Sequence, residues 1–525
     1  MNTQYGSDGD LPGSGTTINL SLISHTNAGK TTLARTLLGR DVGEVRDAAH
    51  VTELATGYVL VQQGEDTLML WDTPGFGDTA RLLTRLRHSG NPIGWFLNQV
   101  WDRWRERPLW SSQQAVKNAR EQADVILYLV NAAEDPASAS YVDLEMEVLA
   151  WIDKPVVVLL NQMGPPRDDV SNERARWADI GAPGQVRAVL PLDAFARVWV
   201  QEGVLLDAVA PLLPDAKHAA MERLQERWQK LNLARFDASM DVMARYLAAA
   251  ATDREEVDEP GWQGKLAAAI SGRDKGDRAA GKAMKNLAGR LAEATAASTD
   301  ELIRLHGLSG KAAKKVLDRV SEDYAHNAKT PEGAAAALGG LVSGAVGGLA
   351  ADAVAGGLTL GGGMIVGAVL GALGAGGVSK GINMSRGEDG SSMRWANDFL
   401  ERLTVTAVLR YLAVAHYGRG RGEWAESEHP AFWQPVVEDE VSNRADALKT
   451  ALRQPETGAA GGPVGGHAQA ISAVVRAIAG AVLLRLYPEA KAVADLEPPQ
   501  ESEPASALPE PADPIETPAS HGEQQ

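Results

Sequence analysis

Residues Thr17 to Leu33 read TINLSLISHTNAGKTTL, and the fold turns on this stretch. Thr17 to Ile23 is a run of β-branched and aliphatic residues short enough for a buried strand. A small polar loop follows, and then a helix begins. The loop Ser24-His25-Thr26-Asn27-Ala28-Gly29-Lys30-Thr31 fits the phosphate-binding pattern G-x-x-x-x-G-K-[ST] except at its first position, where Ser24 stands for Gly. Backbone N–H groups around Asn27, Ala28 and Gly29 and at the start of the new helix face phosphate oxygens. Lys30 reaches the β- and γ-phosphates, the Thr31 hydroxyl ligates Mg²⁺, and Thr32 lies in the same first turn. His25 reads as loop filler rather than as a base.

The whole chain sets limits on this reading. Its 525 residues hold two or three domains. A net charge of −17 argues against nucleic acid as a general partner. There is no cysteine, so disulfides, thiolate zinc sites and cysteine nucleophiles are excluded. The 10 histidines form no metal-ligand spacing. Residues 1–15 are polar and Gly/Ser-rich, without the basic and apolar regions of a secretory signal, so a cytoplasmic first domain is expected.

From Thr16 to Pro214 apolar β-branched runs alternate with helical segments. Strands are expected at 17–23, 57–63, 67–72, 125–131, 155–160 and 186–190. Gly64-Glu65-Asp66 turns the second into the third as an antiparallel hairpin, and the others are parallel with helical crossovers. The third strand runs into Asp72-Thr73-Pro74-Gly75. Asp72 is placed to hold Mg²⁺ directly or through water, and the Gly75 N–H to sense a γ-phosphate. Thr52, in the loop between the first helix and the second strand, is a switch residue that could also ligate Mg²⁺, with Thr56 or a plain turn as competing readings. The strand Val156–Leu160 ends in Asn161-Gln162, where a guanine-reading N-K-x-D would stand. Asn161 fits; Gln162 replaces Lys and Gly164 replaces Asp, with Asp168 or Asp169 as substitutes.

In order and spacing, NAGKTT, Thr52, DTPG and LLNQ resemble the Era-like (TrmE–Era–EngA) P-loop GTPases over about 200 residues. The arrangement also resembles an uncharacterised bacterial family that joins such a domain to a C-terminal domain of unknown function. The resemblance implies a Ras-like six-stranded α/β domain, Mg²⁺, and slow GTP hydrolysis coupled to switch movement. It implies a base-packing loop where Leu192-Asp193-Ala194 stands. Phe76 follows Gly75, as in GTPases with a hydrophobic residue in place of the water-orienting Gln. In some Era-like members a P-loop Asn ligates K⁺ and an acidic residue follows the D-x-x-G glycine by three. Those positions are Asn27 and Asp78 here, which with Lys30 make the catalytic set. The competing readings are loop shaping for Asn27 and helix capping for Asp78.

Residues 92–110 carry Trp95, Trp101, Trp104 and Trp110 among arginines. They read as an extended switch helix on its own domain, or as a basic-aromatic surface for lipid or a partner. A long helix is expected over 215–247, with Met221, Leu224, Trp228 and Leu231 on one stripe, and further helices at 262–271, 279–297 and 300–325. Residues 333–378 are Gly/Ala-rich and apolar, with Asp352 as their one charge. Glycines recur every four residues at Gly340, Gly344 and Gly348 and again at Gly363, Gly367 and Gly371, as in closely packed membrane helices. Lys329, Lys380 and Arg386 keep both ends cytoplasmic. The competing reading is a buried helix pair or a flexible linker. A helix over 392–417, a basic turn at 418–422, a glycine linker at 458–466 and a helix over 468–486 follow.

The expected domains are a flexible lead at 1–15, a GTPase domain at 16–214, a helical region at 215–332, a membrane hairpin at 333–378, a helical region at 379–488 and a disordered acidic tail at 489–525. The expected protein is a GTP/GDP-binding, slowly hydrolysing switch on the cytoplasmic face of the inner membrane, with Mg²⁺, with K⁺ as a stimulating ion, and with an unidentified protein partner or a second copy. Alternatives are a non-hydrolysing nucleotide-sensing membrane scaffold and a dynamin-like remodeller.

Overall fold

The computed structural model describes residues 15–39, 55–77, 79–87, 107–162, 170–192, 198–257, 278–308, 382–387, 390–417, 432–453 and 464–490. Six strands form one sheet: β1 (Thr17–Ile23), β2 (Thr56–Gln63), β3 (Asp66–Asp72), β4 (Val125–Asn131), β5 (Val156–Asn161) and β6 (Val186–Pro191). Their order is β2-β3-β1-β4-β5-β6. β2 pairs antiparallel with β3, and every other pair is parallel. The hairpin turns at Gly64, whose φ of 59° is the left-handed conformation that glycine adopts without strain. The expected strands and hairpin are therefore present, each within a residue or so of its expected end.

Both faces of the sheet are covered, so the central strands are apolar throughout rather than alternating. Val125, Leu127, Leu129, Val157 and Leu159 point to one face. Ile126, Tyr128, Val130, Val156, Val158 and Leu160 point to the other. The second face is covered by α2 (Thr79–Leu86), α3 (Arg107–Glu121), α4 (Ser140–Ile152) and α5 (Val170–Ala178). The first is covered by α1 (Lys30–Leu38), α6 (Trp199–Val209) and the start of α7 (Asp215–Thr252).

Helix α7 joins the two halves of the molecule. Its buried positions Met221, Leu224, Trp228, Asn232, Phe236, Met240, Met243 and Leu247 recur at three- and four-residue steps. The expected stripe fails at Leu231, which is 45% exposed; Asn232 takes the inward position and donates its side-chain N–H to the Trp228 carbonyl at 3.0 Å. Near its start, α7 is fastened to the sheet. Lys217 bonds the Asp124 carboxylate at 2.7 Å and the Thr17 carbonyl at 2.7 Å, and Arg223 bonds Asp66 at 2.8 Å. Its far half packs on α8 (Arg278–Leu305), α9 (Asn397–Ala415) and α12 (Val464–Leu486), with α10 (Trp433–Asn443) and α11 (Ala445–Leu452) outside them. The apolar core of the sheet's first face runs without a break into this bundle.

Two corrections concern the C-terminal half, read from sequence as helical. It also contains a three-stranded antiparallel sheet, β7 (Arg254–Val257), β8 (Ile382–Gly387) and β9 (Gly390–Trp395), in the order β7-β9-β8. The helix expected from 392 begins at Asn397 instead. In β9 Met393 and Trp395 are buried while Arg394 is exposed, a period of two too short to stand out before the helical run that follows. The helices expected at 279–297 and from 300 are one continuous helix, α8, over Arg278–Leu305. The 262–271 segment, most of the tryptophan-rich insertion, the 333–378 apolar stretch, the 418–422 turn and the tail beyond 490 lie outside the described residues. Among the described residues one helix segment, Gly466–Leu486, is long and apolar enough to cross a membrane. Ile471, Val475, Ile478, Ala479, Val482 and Leu483 on it are buried against the bundle, which accounts for its composition as a core helix.

Candidate functional site

The site is built at the C-terminal ends of β1 and β3. After Ile23 the chain must turn sharply to start α1 beside the sheet. Asn27 (φ 66°) and Gly29 (φ 95°) take left-handed conformations to do so. Gly29 has no room for a side chain: a Cβ there would lie 2.8 Å from the Asn161 amide nitrogen. The loop consequently leaves its N–H groups at the start of α1, where helix geometry leaves them without intrahelical acceptors. Asn27 is exposed at the rim, and Thr32 is buried in the first turn of α1.

Lys30 is 8% exposed, and its ammonium donates to the Ser24 hydroxyl oxygen at 2.8 Å. Ser24, fully buried, donates its own hydroxyl to the His25 carbonyl at 2.5 Å. The residue that breaks the sequence pattern thus holds the lysine in place. Burial lowers the Lys30 pKa to about 8, against the opposing pull of the Asp72 and Glu145 carboxylates. A buried cation with so little compensation favours an anion beside it.

β3 delivers Asp72 to the same end of the sheet. Thr31 donates its hydroxyl to Asp72 Oδ2 at 2.7 Å. Asp72 is 1% exposed, and its Oδ1 is buried without a hydrogen-bond partner. Burial pushes the carboxyl above its ordinary range, with the Thr31 bond, Lys30 and Arg35 acting against it. An orphaned carboxylate oxygen next to a threonine hydroxyl suits a hard, oxygen-seeking cation such as Mg²⁺.

The residues after Asp72 are stitched to the phosphate loop. Thr73 donates its hydroxyl to the Leu22 carbonyl at 2.5 Å. The Phe76 N–H donates to the Ser24 carbonyl at 2.9 Å, and the Thr26 N–H to the Phe76 carbonyl at 3.2 Å. Gly75 lies so close to Thr26 that a Cβ would meet its Cα at 2.9 Å. Phe76 is fully buried. Across the sheet, Asn161 is also fully buried and donates its amide to the Ala28 carbonyl at 2.9 Å. Gln162 follows in a left-handed conformation (φ 57°). Lys30, Thr31, Asp72, Gly75 and Asn161 therefore surround one loop. Thr52, Asp78, Gly164, Asp168, Asp169, Asp193 and Ala194 lie outside the described residues.

Sequence reading missed one cluster. His25 Nδ1 meets Glu145 Oε1 at 2.7 Å, and its ring stacks on Tyr141 with centroids 4.3 Å apart. Tyr128 donates its hydroxyl to Glu145 Oε2 at 2.8 Å, and Thr79 donates to Oε1 at 3.3 Å. Glu145 is fully buried, which pushes its carboxyl above the ordinary range against the pull of His25 and Tyr128. The one available signal was a glutamate at an inward position of an otherwise apolar α4 stripe, Val142, Met146 and Leu149.

Residues 182–481 match the family described as a domain of unknown function, DUF3482. Residues 19–162 match the family described as 50S ribosome-binding GTPase. No curated protein matches the chain. Among solved structures, an Era variant from Aquifex aeolicus bound to GDP and aluminium fluoride shares 20% identity, with 38% of this chain and 57% of that one covered and a TM-score of 0.28. A variant of NFeoB from S. thermophilus, also bound to GDP and aluminium fluoride, shares 14% identity over 44% of this chain and 73% of that one, with a TM-score of 0.21. Toc33 from Arabidopsis thaliana, a dimerisation-deficient variant, shares 13% over 35% and 72%, with a TM-score of 0.24. The chain spans just over half the length of the Era chain it matches.

Proposed function

Because the chain belongs to the family defined by the domain of unknown function DUF3482, with a GTPase domain ahead of it, we propose that it is a nucleotide switch: it binds GTP, hydrolyses it slowly, and passes the bound state to the C-terminal bundle. The observation that carries this reading is the joint placement of Lys30, Thr31 and the orphaned Asp72 oxygen at the turn from β1 into the first turn of α1. Lys30 neutralises β- and γ-phosphate oxygens. Thr31 and Asp72 would hold Mg²⁺, with Thr52 as the candidate further ligand from the sequence; the ion would supply charge neutralisation at the phosphates. Gly75 offers its N–H to the γ-phosphate.

Slow turnover follows from Phe76. Its buried ring cannot orient an attacking water as a Gln does. Asn27, exposed in the loop, supports K⁺ as a source of the missing positive charge, with Asp78 as the acidic partner expected from the sequence pattern. The base side supports guanine less strongly, since Gln162 and Gly164 stand where Lys and Asp of the guanine-reading pattern are expected. That observation favours a second reading, a nucleotide-sensing scaffold with weak hydrolysis. The glycine rows of 333–378 support attachment of the bundle to a membrane surface, on the cytoplasmic side. Flotation of the full chain with liposomes checks this, and failure to float in every nucleotide state removes it.

The test of the main reading is titration of the full chain with fluorescent GTP and ATP analogues, with Mg²⁺ or with a chelator. Mg²⁺-dependent binding that favours GTP is the expected result. Equal affinity for both nucleotides supports the scaffold reading, and absence of binding removes both.

A further inference from the structure

The buried Glu145 has no part in holding phosphate or metal, yet it is bonded to three separate elements. His25 comes from the phosphate loop, Thr79 from the first residue of α2, and Tyr128 from β4. A carboxylate with no solvent exposure is expensive to keep unless its oxygens are bonded. Here both oxygens are. Its pair with His25 Nδ1, at 2.7 Å, links a buried acid to a ring that is one-third exposed. Tyr141 fixes that ring from the other side by stacking, and its own hydroxyl is held by Glu134 at 2.7 Å.

The second element matters most. Thr79 begins α2, two residues after Gly77 and the segment Asp72–Gly77, whose Gly75 N–H meets the γ-phosphate in the reading above. Thr79 is 3% exposed, and its N–H also bonds the Gly77 carbonyl at 2.9 Å. At the other end of α2, Arg87 donates from Nε to Glu147 Oε1 at 3.0 Å, so α4 holds this helix at both ends. The Arg87 pair is exposed and contributes little. The Glu145 bonds are buried and directional. We propose that Glu145 is a positioning residue that links the phosphate loop, through His25, to the start of α2, through Thr79. The seating of the loop on phosphate thereby fixes where Gly75, Phe76 and Gly77 stand during hydrolysis. This rests on the reading of the chain as a GTPase.

A device of this kind acts on turnover rather than on affinity. Lys30, Thr31 and the loop N–H groups still hold the nucleotide when Glu145 is altered, whereas a displaced switch segment takes the Gly75 N–H away from the γ-phosphate. Misplacement of about 1 Å is enough for a ~100-fold loss of rate. The test compares the full-length wild type with Glu145→Gln and Thr79→Val. Gln preserves shape but turns one acceptor into a donor; Val removes the Thr79 hydroxyl, which bonds Glu145 at 3.3 Å and the Gly77 carbonyl at 3.4 Å, while the Thr79 N–H bond to Gly77 remains. For each, GTP affinity is titrated and single-turnover hydrolysis of GTP is measured with Mg²⁺ in KCl.

Glu145→Gln is expected to lower the hydrolysis rate at least about 10-fold, with affinity within about 3-fold of wild type. Thr79→Val is expected to show the same split with a smaller fall. Unchanged turnover in both variants overturns the proposal. So does a loss of affinity as large as the loss of rate, which marks Glu145 as a mere support of the loop. If Glu145→Gln fails to fold, Thr79→Val decides the matter on the same criterion. A wild type that binds GTP without hydrolysing it overturns the GTPase reading itself, an outcome distinct from the variant results.

Discussion

The two faces of the central sheet are built for different ends. The face under α2–α5 closes on itself, with a core that stops at the edge of the GTPase domain and a buried acid, Glu145, set inside it. The face under α1, α6 and α7 does not close. Its core continues through Trp228 and Phe236 into the C-terminal helices. A polar group buried in a self-contained layer specifies one local geometry, at the cost of desolvation. An unbroken apolar core makes two regions move and unfold together. The difference suggests a division of labour in which the first face registers what is bound and the second transmits it.

The largest expected effect tests the continuity of the second face. Phe236 is 1% exposed at the junction, with Tyr411 edge-on at 5.8 Å and Trp199 at 6.4 Å. Phe236→Ala should cost about 3–5 kcal/mol. Thermal melts followed by circular dichroism and by loss of bound nucleotide should shift together. Two separated transitions would break the comparison, since the halves would then be independent.

Next comes the phosphate loop, which both faces share. Lys30→Ala should weaken GTP binding at least ~100-fold, about 2.7 kcal/mol, at little cost to folding. Fluorescent-nucleotide titration measures it. Retained full affinity would contradict the assignment of the loop.

The smallest effect sharpens the fastening of α7. Asp66 accepts from the Thr16 N–H at 3.0 Å and from Arg223 at 2.8 Å, and these bonds hold its carboxyl below the usual range. A depressed folded pKa gives stability that is present above the unfolded value, near 3.9, and is lost as pH falls through the folded one. Asp66→Asn should therefore lower stability by about 1 kcal/mol at pH 7, with the gap to wild type closing in acid. A gap that persists unchanged at low pH would show that the charge plays no part.

How much of this was legible in the sequence follows the same division. Periodicity and the loop pattern located every strand of the large sheet, because β1, β4 and β5 are short apolar runs bounded by turns. Asp72 and Gly75 were legible because a strand must end where they stand. Ser24 was readable only as a departure, since nothing in a sequence says that its hydroxyl receives Lys30. Glu145 was hidden: its partners lie as far away in the chain as His25, and a lone acid on a helix is ordinarily solvated. The C-terminal sheet was hidden because β7, β8 and β9 are short and rich in polar residues, so pairing across distant segments, not local pattern, makes them strands.

The division of labour is most directly measured by hydrogen–deuterium exchange of the full chain bound to GDP and to a non-hydrolysable GTP analogue. The account predicts changed protection in α2, over 79–87, and in the part of α7 beside β2 and β3, over 215–236. Protection that changes in α2 while α7 stays the same would contradict it: the nucleotide would then be sensed on one face and never transmitted through the other.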